Sequence, residues 1–150
     1  MKKFLLFIVV LLPWFLSTLF MGNNDFYKTI NLPFFALPSF AYGIVWTILY
    51  ILIAISIYMI YGKYKFRDIK DYNIALIVNY IVNQLYTFLF FSLNNLFLSF
   101  VDTVLIVITA INLYDETKKL DEKASKFLIP YILFSIFACI LSATIYFMNL

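Results

Sequence analysis

Histidine is absent from the 150 residues, cysteine occurs once, at Cys139, and glycine only three times. The first absence removes the commonest general base, the commonest metal ligand and the commonest haem ligand. A single cysteine in an apolar stretch leaves neither a disulfide within the chain nor a cysteine cluster. Three glycines do not make a phosphate-cradling loop. Charge is scarce as well, at 13% of residues. Together these gaps speak against a conventional hydrolase, oxidoreductase or ATPase. Any reaction here would have to be driven by a ligand's own reactivity.

What fills the chain is apolar. Hydrophobic residues make up 65%, and the mean hydropathy of +0.96 lies far outside the range of soluble domains. That is the composition of an integral membrane protein. Stretches such as Phe4 to Phe20 and Ile44 to Ile60 are apolar on nearly every face, so they predict helices and not the alternating pattern of a membrane barrel. Uncharged runs place five crossings at about 4–21, 40–61, 72–93, 96–114 and 127–148. The expected fold is a single all-α domain, a five-helix transmembrane bundle with a loop over 22–39. The run from Tyr72 to Tyr114 would extend about 65 Å as one helix, roughly twice the hydrocarbon thickness. It must therefore turn back, and Asn94 and Asn95 mark the turn.

Charge supports the count. With five crossings, Lys2, Lys3, Lys63, Lys65, Arg67, Lys70, Lys118, Lys119, Lys123 and Lys126 fall on one side and only Lys28 on the other. This asymmetry predicts an inside N-terminus and an outside C-terminus. The basic residues sit in short membrane-edge loops beside Asp68, Asp71, Asp121 and Glu122, an arrangement that does not suit nucleic acid. The first segment also has the basic start and apolar run of a signal peptide. Pro13, Trp14 and the lack of a small-residue cleavage pattern between Ser17 and Asn24 favour its retention.

Polar residues at membrane depth are the next signal, because amides and carboxyls in hydrocarbon need partners. Asn79, Tyr80, Asn83, Gln84 and Thr87 share an arc of about 140° on the third helix. Asn95, Ser99, Asp102 and Thr109 share about 80° on the fourth. Both stripes should face the bundle interior. Asp102 is the only formally charged side chain at that depth, and its place near a helix start suggests a local hydrogen-bonding role, to neighbouring loop or tyrosine groups, with proton relay as the alternative. Small-residue stripes at Gly43, Thr47, Tyr50 and Ala54, and at Tyr131, Ser135, Ala138 and Ser142, would permit close helix approach.

Leu32 to Tyr50 is the most distinctive segment: a loop with two prolines running into a helix that carries Trp46, one of two tryptophans. Pro33, Phe35, Pro38, Gly43, Val45, Trp46, Leu49 and Tyr50 resemble the P-x-W-x-P-P and G-x-V-W-x-x-L-Y signature of the tryptophan-rich sensory protein family, also called the translocator protein or peripheral benzodiazepine receptor family. Tyr27, Asn83-Gln84-Leu85, Val101-Asp102, Leu128-Ile129-Pro130-Tyr131 and Phe137-Ala138 extend the likeness over nearly the whole chain. Phe35, Leu37 and Phe134 stand where family members carry tryptophan, proline and tryptophan.

The resemblance implies a pocket near the first loop involving Tyr27, Trp46, Tyr50, Asn83, Tyr86, Phe134 and Ala138, with Leu32 to Pro38 as its lid and Asn79 and Gln84 on the neighbouring face. It implies porphyrin or a drug-like molecule as ligand, with no required cofactor, and a homodimer; the lack of histidine leaves no metal expected, membrane lipid is the surrounding partner, and the basic loops suggest a bacterial cytoplasmic membrane. Trp46 and Asn83 would donate hydrogen bonds to the ligand's polar edge. Three functions stay open: a tetrapyrrole-binding sensor, an enzyme degrading photo-excited protoporphyrin with Trp46 as radical relay, and a transporter or scaffold.

Overall fold

A computed structural model describes residues 2–20 and 25–150 of the protein. The chain starts as helix α1 (Lys2–Leu11) and tightens into a 3-10 helix over Leu12–Phe20. Pro13 accounts for the change, since it lacks an N–H and its ring clashes with an α-helical turn. The uniform helix expected over 4–21 is thus two helices of different pitch. Much of the window considered for signal cleavage lies outside the described residues.

A short helix α2 (Asp25–Thr29) occupies the first loop. Helix α3 (Ser39–Tyr61) follows Pro38, whose extended backbone leads into the first turn. Helix α4 (Lys70–Thr87) passes into one π-helical stretch at Phe88–Ser92. The return falls where the sequence placed it: Asn94 takes φ 50°, a left-handed conformation that asparagine tolerates, and the Asn95 side chain accepts a hydrogen bond from the Leu98 N–H at 2.9 Å.

Helix α5 (Leu96–Leu120) runs six residues beyond the expected end at Tyr114. Charges at Asp115, Glu116, Lys118 and Lys119 read as a loop in a membrane context, yet an α-helix carries such side chains outward without losing a backbone bond. Asp121 ends it and caps the next helix, α6 (Glu122–Lys126), by accepting from the N–H groups of Lys123 and Ala124 at 2.8 and 3.0 Å. Pro130 then sits in the first turn of α7 (Ile129–Met148), where a missing N–H costs nothing.

Four spans are long and apolar enough to cross a membrane: Ser39–Tyr61, Lys70–Ser92, Leu96–Leu120 and Glu122–Met148, with a shorter apolar helix over Phe7–Leu16 beside them. The fold is an all-helical membrane bundle, with no strand among the described residues. Outward positions carry Ile44, Ile48, Ile77, Ile81, Leu105, Ile108, Leu133 and Ile140, all exposed. The interior holds Asn79, Asn83, Ser99, Thr103, Thr117 and Ser135, all buried. This is the arrangement hydrocarbon demands, with polar groups paired inside and aliphatic surface outside.

The helices close a ring in the order first segment, α3, α7, α5, α4. Contact around that ring is uneven. Helix α1 lies along α3, but beyond Pro13 the 3-10 segment packs on α4 instead. The first segment and the N-terminal half of α3 therefore diverge. Gly43 and Thr47, which the small-residue stripe assigned to close helix approach, are exposed, and a Cβ built on Gly43 meets nothing within 4 Å. Gly43, Thr47 and Tyr50 of the stripe line a gap, while Ala54, deeper in the bundle, is fully buried as the stripe led one to expect.

Candidate functional site

That gap opens a cavity of about 230 Å³ in the half of the bundle nearest the first loop. Its wall includes Tyr27, Trp46, Tyr50, Asn83, Tyr86, Phe134 and Ala138, the seven residues the family resemblance grouped there. Rings dominate it. Trp46 lies 5.5 Å from Tyr50 and 5.5 Å from Phe134, the latter edge-to-face, with centroid spacings typical of favourable aromatic pairs. Phe15 meets Tyr50 edge-on at 5.5 Å. Rigid rings in these poses leave an empty slot between them that flexible aliphatic chains would have filled.

Beneath the rings runs a chain of hydrogen bonds. Tyr50 donates to Asn83 Oδ1 at 3.1 Å, Asn83 Nδ2 donates to the Tyr131 hydroxyl at 3.2 Å, and Tyr131 pairs with the Asn79 side chain. Asn79 Nδ2 also reaches Thr109 Oγ1 at 3.0 Å. Each polar group thus finds a partner in a site without water-like surroundings, the condition for keeping amides buried. Asn83 retains one uncommitted N–H, since an amide has two.

Three expected site residues do not reach the cavity. Asn79 is fully buried one layer behind it, held by Tyr131 and Thr109. Gln84 turns to the first segment and donates to the Trp14 carbonyl at 3.3 Å, as Tyr80 does to the Pro13 carbonyl at 2.8 Å. An arc of about 140° is wide enough to serve two neighbouring elements, which is why the stripe divides. Pro38 ends the loop, and neither it nor any other residue from Leu32 onward in the lid lines the wall; Ser39 is the first to do so. The lid is instead tethered over the site, with Tyr27 donating to the Leu37 carbonyl at 3.1 Å and the Leu37 N–H donating to the Tyr42 hydroxyl at 3.0 Å. Asn149 adds a second tie through two bonds to the Asn31 backbone, at 2.8 and 2.9 Å.

Asp102 is 2% exposed, and neither carboxylate oxygen has a hydrogen-bond partner. The local hydrogen bond expected for it does not form: the Tyr86 and Tyr131 hydroxyls are near enough to feel its charge but do not bond to it. Residues that sequence reasoning missed include Tyr42, Phe90, Phe91, Thr103 and Ile106, with Phe15, Leu141 and Ile145 beside them. Phe90 and Phe91 lie in the π-helical stretch, whose wider turn rotates Phe90 inward against Tyr86 and Tyr27. No periodicity marks such a turn. Thr103 and Ile106 flank Asp102 at helical spacing and were legible in principle.

Among the described residues no three His, Cys, Asp or Glu side chains come together, so the donors available to a ligand are indole, phenol, hydroxyl and amide groups. The fold and this cavity define a multi-pass helical membrane protein with a partly open, aromatic-walled site. The chain belongs to the TspO/MBR family, whose sequence profile matches residues 4–148. It is similar to the "Tryptophan-rich protein TspO" of Bacillus cereus, with 38% identity covering 89% of this chain and 86% of that one. It is also similar to the "Uncharacterized membrane protein YtaB" of Bacillus subtilis, with 37% identity over 88% and 85%. A "Tryptophan-rich protein TspO" of Archaeoglobus fulgidus is 29% identical over 84% and 81%.

Proposed function

We propose that the protein is a membrane receptor that holds a flat aromatic molecule, a tetrapyrrole such as protoporphyrin or a benzodiazepine-type compound, in the cavity between the first segment, α3, α4 and α7. The observation that carries this reading is the slot bounded by Trp46, Tyr50 and Phe134 above the Asn83 amide. Stacking on ring faces rewards a planar ligand, and the remaining Asn83 N–H and the Trp46 indole N–H are the donors for its polar edge. Occupancy would bear on the lid through Tyr27 and Tyr42, which touch both lid and cavity, and that is how binding would be reported. In this reading the protein sits in a bacterial cytoplasmic membrane, and the charge asymmetry supports an inner-face position for the N-terminus and the basic loops.

Titration of the purified protein with protoporphyrin tests the reading. The double variant Trp46→Phe with Asn83→Ala should lose at least tenfold in affinity. An unchanged affinity would remove this cavity as the site.

A second reading, light-dependent degradation of the bound porphyrin, is favoured by one observation. Trp14 lies 5.6 Å from Tyr50, which lies 5.5 Å from Trp46, so three oxidisable rings follow one another out of the cavity. Under illumination, Trp14→Phe would then slow formation of a defined product and leave affinity unchanged. Bleaching at the same rate in both proteins would leave the receptor reading alone.

A further inference from the structure

Among the described residues, the side chains around the cavity carry no cation. Its wall is built from aromatic, aliphatic, hydroxyl and amide groups only. Lys63, the nearest basic residue beyond the site along α3, lies thirteen positions past Tyr50, about 20 Å along the helix axis. Lys65, Arg67, Lys70 and the lysines after Leu113 belong to that same far end. Lys28, at the near end, is in α2 and outside the wall.

Against this neutral wall stands one acid. Asp102 is 2% exposed, its oxygens have no hydrogen-bond partner, and it precedes Thr103 and lies one turn before Ile106, both of which line the cavity. It also interacts electrostatically with the hydroxyls of Tyr86, in the wall, and Tyr131, beneath it. That carboxyl supplies no counter-charge either, so a ligand carboxylate brought into this space would find electron-rich ring faces and no cation. Burying an unpaired charge is strongly unfavourable, and ring faces repel anions as they attract cations.

From these observations we propose that the cavity selects its ligand by charge: it encloses flat aromatic molecules whose edges are uncharged and holds carboxylates out at the mouth, with the missing cation setting the preference. The proposal rests on the ligand-binding reading above and narrows it. A dicarboxylic porphyrin would enter ring-first with its acid groups left outside, whereas an esterified ring would be enclosed entire.

Protoporphyrin and its dimethyl ester share one macrocycle and differ in these two charges. Both would be titrated into the full-length protein in lipid nanodiscs by quenching of tryptophan fluorescence. Gly43→Leu, which fills the open space beside α3, serves as the blank for partition into lipid. The expected result is saturable binding of both ligands above the blank, with the ester at least tenfold tighter. Thr47→Lys, a substitution at an exposed position of the wall, should by supplying the cation strengthen binding of the free acid at least threefold and leave the ester unchanged. Equal affinities in the unmodified protein, or a tighter free acid, would overturn the charge selection. A gap between the two ligands that Thr47→Lys does not narrow would overturn the part given to the missing cation. Neither ligand exceeding the blank would instead overturn the cavity as a binding site.

Discussion

The two ends of the bundle are both largely apolar and behave differently. At the end bearing the basic loops, Ile53, Ile60, Leu113, Ala124 and Leu128 are all at most 1% exposed, and Lys63 pairs with Asp121 while Tyr64 donates to the Leu120 carbonyl at 3.0 Å. At the other end the helices carry every interruption found inside an apolar segment: the 3-10 stretch after Leu11, the π-helical stretch after Thr87 and the open face at Gly43. Branched and small side chains interdigitate to solid density. Aromatic rings on helices of unequal pitch do not, and the volume they fail to fill is the site. The packed end thus supplies the rigidity and the interrupted end supplies the room.

If that division is right, truncation should cost more at the packed end. Leu113→Ala should destabilise by about 3 kcal/mol, the scale of a cavity opened in a close-packed core. Ile106→Ala, which only enlarges an existing space, should cost less than half of that. Thermal unfolding of the two variants in detergent compares them, and equal losses would break the distinction.

Tyr131 joins the two ends, so its hydroxyl sharpens the boundary. Tyr131→Phe leaves Asn79 and Asn83 each short of a partner and should cost about 1–3 kcal/mol. It should also weaken protoporphyrin binding, because Asn83 would then be free to rotate. A variant that lost stability and kept full affinity would confine the hydrogen-bond chain to a structural role.

The smallest effect is expected from the ion pair at the packed end. Lys63 and the backbone N–H groups of Ala124 and Lys123 hold the Asp121 carboxyl below its ordinary range, and Asp121 holds the Lys63 ammonium above its own. Stability from Asp121 is therefore present above the unfolded carboxylate value, about 3.9, and lost as pH falls through the lowered folded value. Stability from Lys63 is present below about 10.4 and lost as pH rises through the raised one. Unfolding temperature followed from pH 7 to pH 3 should drop less in Asp121→Asn than in the unmodified protein. Protoporphyrin affinity over the range where the ligand's own charge is constant should not follow this pair, which lies at the far end.

Much of this was already legible along the chain. Apolar runs and the lack of charge dictate an all-helical membrane bundle, since hydrocarbon leaves the backbone no other way to satisfy its N–H and C=O groups. Asn94 and Asn95 announce their turn because few residues accept a positive φ, and Trp46, Asn83 and Phe134 stand out within a recognisable family pattern. Other features depend on which element meets which. Whether Gln84 faces the cavity or the Trp14 carbonyl, and whether Gly43 packs or stands open, turns on the path of the first segment after Pro13. The inward turn of Phe90 rests on one extra residue in a helical turn, and the isolation of Asp102 on groups that come no nearer to it. Composition determines what must be buried; only the tertiary arrangement decides where packing fails, and in this protein the site lies where it fails.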